Sequence, residues 1–199
     1  MAVASEATAG GRQSARERIL DTAYELFSRH GTRAVGVDRI IAECGIAKMT
    51  LYRNFPSKDA LILAFLERRD ELWTRAWLQA EAQRRGASPA ERLLAIFDTF
   101  GGWFAQDGFE GCSFINVMLE LDDLDNPVRH ATVRYLADIR TFVSGLAEEA
   151  GIEDPDNFAR QWHILMKGSI VSAAEGDLEA AARAKQLGGL LLAHHGITV

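Results

Sequence analysis

Apolar residues in this 199-residue chain recur at three- and four-residue spacing almost from end to end, and they hardly ever alternate with polar ones. A spacing near 3.6 belongs to a helix and a spacing of two to a strand, so the pattern restricts the chain to an all-α fold. The prolines agree, since each of the four fits a helix boundary. Ser88-Pro89-Ala90-Glu91 reads as a capping box, with proline at the first helical position where its missing N–H is harmless. Asn126-Pro127 and Asp154-Pro155 repeat the device, and Phe55-Pro56-Ser57 ends one helix and caps the next. Glycines 31, 45, 86, 151, 176 and 196 follow helical stretches and are expected to close them in the left-handed conformation. The resulting helices are 14–30, 37–44, 48–55, 57–85, 89–106, 111–121, 127–150, 155–175 and 178–195, nine in all. Helix 57–85 reads as continuous, roughly 40 Å long at 1.5 Å per residue, and would join the first three helices rigidly to the rest.

Charge divides the chain at the same place. The net charge is −6, yet residues 1–58 hold nine Lys/Arg against six Asp/Glu, whereas 59–199 hold 13 against 22. A basic head on an acidic body points to a polyanionic partner for the head alone. Residues 1–13, rich in Ala, Ser, Gly and Thr, are expected to form a disordered tail without the basic start and apolar core of a signal peptide. No uncharged stretch approaches the roughly 18 residues of a membrane span, so a cytoplasmic protein is expected. Cys44 and Cys112 stand alone, and small buried hydrophobes in a reduced compartment are the simpler reading of both than a redox switch.

Within the head, Ile19, Leu20, Ala23, Leu26 and Phe27 make one apolar stripe and Val37, Ile40, Ile41 and Cys44 a second. A short turn at Gly45-Ile46-Ala47 then leads into Lys48-Met49-Thr50-Leu51-Tyr52-Arg53-Asn54-Phe55, which gives helix, turn, helix. Leu51 and Phe55, one turn apart, are expected to plug this last helix into the head, pointing Met49 and Arg53 outward with Thr50 and Tyr52 on the flanks. Arginine can grip a guanine edge with two hydrogen bonds, and Met49 or the Thr50 methyl can touch a thymine methyl. Lys48 and Lys58 suit phosphates, as do unpaired N–H groups at helix starts. A solvated basic face on a small bundle is the plainer alternative for the same residues.

The run ERILDTAYELFSRHGTRAVGVDRIIAECGIAKMTLYRNFPSKDAL resembles the DNA-binding domain of TetR-family transcriptional regulators through Ala23, Phe27, Gly31, Ile40, Gly45, Leu51, Tyr52, Phe55, Lys58 and Leu61. The resemblance implies a nine-helix architecture. A helix-turn-helix DNA-binding domain over 14–58 would precede a helical ligand-binding and dimerisation domain over 59–199. It further implies a homodimer acting as a repressor on a palindromic double-stranded operator, with 48–55 as recognition helix, Lys48, Thr50, Tyr52 and Lys58 as contacts, and a small-molecule effector in the body. Gly36 stands where the family usually places a capping Ser or Thr, Ala47 where a serine is common, and Met49 where a small residue is usual. Either a weaker backbone grip at the second helix or a compensating contact from Arg16, Arg33 or Arg39 is therefore expected.

The body concentrates aromatic residues beyond the ordinary needs of a helical core. Trp73, Trp77, Phe100, Trp103, Phe104, Phe114, Met118, Trp162 and Met166, with Asn116, Tyr135 and His163 as polar members, are candidates to line a pocket for an apolar or aromatic ligand. Core packing is the competing reading for each. The last two helices read as a dimer interface through Trp162, Ile170, Ala173, Leu187, Gly188 and Leu191, with Gly188 and Gly189 suggesting close backbone approach. The acidic run Glu120 to Asp125 lacks the glycine and terminal Glu of a calcium loop, and a solvated loop before the Asn126 cap is the expected reading. His194 and His195 are adjacent without a ligand one turn away, and are expected at the surface. No nucleophile, phosphate loop, metal set or cofactor motif emerges, so an enzyme is not expected. A helical sensor or protein-interaction module that leaves DNA alone is the alternative.

Overall fold

Capping side chains set where the helices begin. Ser88 Oγ accepts from the Glu91 N–H at 3.2 Å while the Glu91 carboxylate accepts from the Ser88 N–H at 2.9 Å, closing the capping box. Those backbone donors, Ser88 first and Ala87 next, hold the Glu91 carboxyl below its ordinary range. Asn126 accepts from the Val128 N–H at 2.8 Å and Asp154 from the Asn157 N–H at 3.1 Å, each followed by its proline. Ser57 accepts from the Ala60 N–H at 3.0 Å.

The computed structural model describes residues 13–199, so the expected tail, apart from Gln13, lies outside the described residues. Among these there are nine helices and no strands. They are α1 (Ala15–His30), α2 (Val37–Cys44), α3 (Lys48–Asn54), α4 (58–85), α5 (Pro89–Phe104), α6 (Ser113–Glu120), α7 (Pro127–Glu149), α8 (Pro155–Ala174) and α9 (Ala180–His194). Helix α4 is unbroken, but its middle, Asp70–Gln79, is π-helical between α-helical Lys58–Arg69 and Ala80–Arg85. No sequence signal marked that wider turn. Gly86 is a second departure: its φ of −105° is not left-handed, and it is required instead because a Cβ there would stand 2.3 Å from the Arg92 nitrogen.

Helices α1 to α3 fold around Ile19, Ala23, Phe27, Ile40, Leu51 and Phe55, all buried. The apolar packing does not stop at residue 58. Leu61 and Phe65 of α4 are fully buried, and the Phe65 ring meets Tyr24 and Phe27 edge-on at 5.4 and 5.5 Å. Arg68 adds ion pairs to Glu17 and Asp21, and Arg69 donates to the Tyr24 hydroxyl at 3.0 Å. In the body α7 lies along α8, α9 packs on α5 and α8, and the end of α4 packs on α5. Among the described residues no helix is long and apolar enough to cross a membrane.

Candidate functional site

Two buried side chains orient α3. Leu51 and Phe55 seat it in the head, which leaves Met49, 67% exposed, and Tyr52, 38% exposed, on the outer surface beside exposed Lys48 and Arg53. Thr50 is half-buried on the flank. The expected orientation of this helix is therefore the one the packing gives. Lys48 Nζ lies 3.3 Å from the Asp38 carboxylate of α2, an exposed ion pair. Such a pair is worth about 0–1 kcal/mol, little enough to yield to a stronger anion.

The supporting cations surround α3. Arg16 holds its guanidinium 4.8 Å from the Phe55 ring centroid, and exposed Arg39 places Nη2 3.0 Å from His30 Nε2. Lys58 is half-buried in the first turn of α4. Burial pushes its amine below the ordinary value, while the Glu120 and Asp59 carboxylates act in the opposite sense. Neither Gly36 nor Ala47 caps its helix with a side chain, as their identities require.

A body residue fixes the loop before α2. Glu120, the last residue of α6, accepts from the Thr32 hydroxyl at 2.5 Å and from the Arg33 N–H at 2.9 Å, and so anchors the loop that leads into α2. Gly31 makes room for it: φ is +76°, and a Cβ would lie 2.3 Å from a Glu120 carboxylate oxygen. Sequence reading placed Glu120 in a solvated acidic run, because nothing local signals a contact to a residue 88 positions away. Glu120→Ala strands the buried Thr32 hydroxyl and is expected to cost about 1–3 kcal/mol. Amide exchange at Arg33 should accelerate in this variant; unchanged protection would mean that the carboxylate does not hold the loop.

Above this contact, α1 and α6 enclose a cleft of about 430 Å³ lined by Phe27, Phe65, Phe109, Asn116, Val117 and Glu120. Asn116, expected in the body interior, is instead exposed at this seam and donates to the Glu110 carbonyl at 3.0 Å. The other proposed pocket residues form three packings rather than one lining. Trp73, Trp77, Phe100, Trp103 and Phe104 pack against one another at tilted or edge-on angles, with Trp73 4.8 Å from Trp103 and 5.3 Å from Trp77. Phe114 stacks on Tyr135 at 5.2 Å. Trp162 lies between Phe97 and Phe158, 5.2 Å from each. Met118 is half-buried on α6, where its carbonyl accepts from Arg129 at 2.7 Å, and Met166 and His163 are buried on α8.

The proposed subunit face needs a similar revision. Trp162, Ile170 and Gly188 are buried within the chain's own body. Gly188 does mark a close approach, but to Trp162, whose ring would stand 2.7 Å from an added Cβ. Ala173 and Leu191 are half-buried and Leu187 is exposed. The exposed apolar surface there is carried by Leu187, which the sequence pattern named, together with Ile164 and Val171 on α8 and Leu190 on α9, which it missed. His194 is exposed as expected, whereas His195 is half-buried with its ring 5.5 Å from Phe158. Cys112 is buried and Cys44 half-buried.

Several buried polar atoms have no partner among the described residues: Asp70 Oδ1 and Thr74 Oγ1 on the π-helical stretch, Ser28 Oγ, Trp162 Nε1 and His163 Nδ1. The other Asp70 oxygen accepts from Arg75 Nε at 2.7 Å.

Residues 19–65 match the family model for bacterial regulatory proteins of the tetR family, and residues 89–187 match that for the tetracyclin repressor-like C-terminal domain. The chain is 41% identical over 108 residues to the HTH-type transcriptional regulator UidR of Escherichia coli, covering 54% of this chain and 41% of UidR. An uncharacterised HTH-type transcriptional regulator of Mycobacterium tuberculosis is 35% identical over 85 residues, 43% of this chain and 41% of that protein. The chain thus matches less than half the length of these curated relatives. Solved structures align far more fully. SCO4454, a TetR-family transcriptional regulator from Streptomyces coelicolor, superposes with TM-score 0.82 and 30% identity over 90% of this chain and 95% of its own. The putative regulator sav143 from Streptomyces avermitilis gives 0.84 and 30% over 94% and 100%.

Proposed function

The chain belongs to the tetR family of bacterial regulatory proteins, and from that premise we propose that it is a DNA-binding transcriptional regulator, not an enzyme, acting in the cytoplasm. One observation carries the reading: a short helix seated by Leu51 and Phe55 turns Lys48, Met49, Tyr52 and Arg53 to the outside of the basic end of an acidic chain. Those groups can enter a major groove, with Thr50 at the flank and Arg16, Arg39 and Lys58 meeting the backbone. Two copies joined through Ile164, Val171, Leu187 and Leu190 would present two such helices to a palindrome, about 34–36 Å apart for half-sites one turn apart.

Regulation by a small molecule follows from the connection between body and head. Helix α4 is stapled to α1 by Phe65, Arg68 and Arg69, and α6 is tied to the α1–α2 loop by Glu120. A ligand in the body that shifts either helix changes the separation of the paired heads and releases the operator. Coupling of this kind is typically worth about 1–3 kcal/mol and requires different ligand affinities in the two states.

Salt-titrated binding to a duplex selected from random DNA, and to a scrambled one, tests the reading. Arg53→Ala should erode discrimination between the two by about 1–3 kcal/mol, whereas Lys58→Ala should weaken both equally and reduce the salt slope by about 1. Equal losses on both duplexes for Arg53→Ala would remove it as a base reader. No salt-dependent duplex binding by the wild type would end the proposal.

A further inference from the structure

The first turn of α2 carries an acid among the cations of the head. Asp38 lies two residues after Gly36, which gives the helix no side-chain cap, and its carboxylate accepts from Nζ of Lys48, the first residue of α3, at 3.3 Å. The Asp38 and Lys48 side chains are 81% and 62% exposed, so the pair lies open beside the outward-facing Met49, Tyr52 and Arg53. The start of a helix favours negative charge, which suits this carboxylate and a duplex phosphate alike.

The cations of α2 and α3 are not held alike. Lys48 has Asp38. Arg39, next to Asp38, has Nη2 3.0 Å from His30 Nε2, and because a guanidinium only donates, that imidazole nitrogen is the acceptor. Arg53 has no carboxylate within 4.0 Å among the described residues. The arginine suited to base edges is thus unpaired, whereas the lysine suited to phosphate already has an anion.

We propose that Asp38 limits the affinity of the head for DNA: its carboxylate holds Lys48 in the free protein and competes with a backbone phosphate for it. Lys48 has to leave Asp38, or be shared with it, when a duplex arrives. Contacts to phosphate carry no sequence information, so every duplex is bound less tightly than the lysine alone would allow, and discrimination by Arg53 is untouched. An exposed pair shifts affinity only a few fold, so the acid weakens the grip without abolishing it. About fivefold is also the lower end of the coupling by which one ligand typically shifts the binding of another, so a grip relaxed by this much leaves less to overcome on release. The inference rests on the regulator reading and adds to it the residue that sets how firmly the duplex is held.

Fluorescence anisotropy of the full-length protein on a duplex selected from random DNA and on a scrambled one, over a series of KCl concentrations, tests it. Asp38→Asn is expected to bind both duplexes about two- to fivefold tighter in dilute salt and with a steeper salt dependence, while Asp38→Glu matches the wild type. Lys48→Met should weaken binding to both, and adding Asp38→Asn to it should change little further, because the acid acts through the lysine. Asp38 is exposed, so the unfolding midpoint of each Asp38 variant should stay near that of the wild type. Unchanged or weaker binding by Asp38→Asn would overturn the assignment, as would Asp38→Glu behaving like Asp38→Asn. A loss confined to the selected duplex would overturn it by making the carboxylate a reader of a base edge. A gain that persists undiminished beside Lys48→Met would also do so, since Asp38 would then repel the backbone directly. Wild type that binds a duplex no less tightly than Asp38→Asn defeats this assignment alone, whereas a wild type without salt-dependent duplex binding defeats the regulator reading itself.

Discussion

Phe65→Ala is expected to lower stability by about 3–5 kcal/mol and to weaken duplex binding in the fraction that remains folded. The ring is fully buried and meets Tyr24 and Phe27 edge-on, so its removal empties the apolar contact between α4 and the head. Two polar staples remain, from Arg68 to Glu17 and Asp21 and from Arg69 to Tyr24, but they lie nearer the surface and hold less. Denaturant titration gives the stability loss. Duplex binding measured well below the denaturation midpoint separates loss of fold from loss of head position. A Phe65→Ala protein as stable as wild type would show that the head does not depend on this contact.

Trp162→Ala should cost a similar amount, about 3–5 kcal/mol, for a different reason. Trp162 fills the space between Phe97, Phe158 and the backbone of α9 at Gly188, so its loss opens a cavity where three helices meet. Unfolding followed by circular dichroism would register it. Reading this residue as a subunit contact makes a different prediction, namely dissociation without loss of monomer stability. Sedimentation of the variant at several concentrations distinguishes the two, and a stable monomer would contradict the packing described above.

Local information was strong wherever one short segment determined its own structure. The serine, asparagine and aspartate caps with their prolines fixed the helix starts, and the spacing of Leu51 and Phe55 fixed which way α3 faces. Sequence failed where the deciding neighbour is remote. Trp162 and Ile170 look like interface residues on a helical wheel, but periodicity cannot say whether an apolar stripe meets its own chain or another. Glu120 reads as one more solvated acid until Thr32 and Arg33 are placed beside it. The π-helical turns of α4 have no compositional mark at all.

The contact of Glu120 with Thr32 and Arg33 limits how this protein can be divided. Although the head looks like a portable cartridge, part of its scaffolding belongs to the other half of the chain, and Gly31 is shaped around it. A chimera joining this head to another body would inherit a loop cut for a carboxylate that is no longer supplied. The junction must therefore travel as a set, with Gly31, Thr32 and the acid that ends α6 exchanged together.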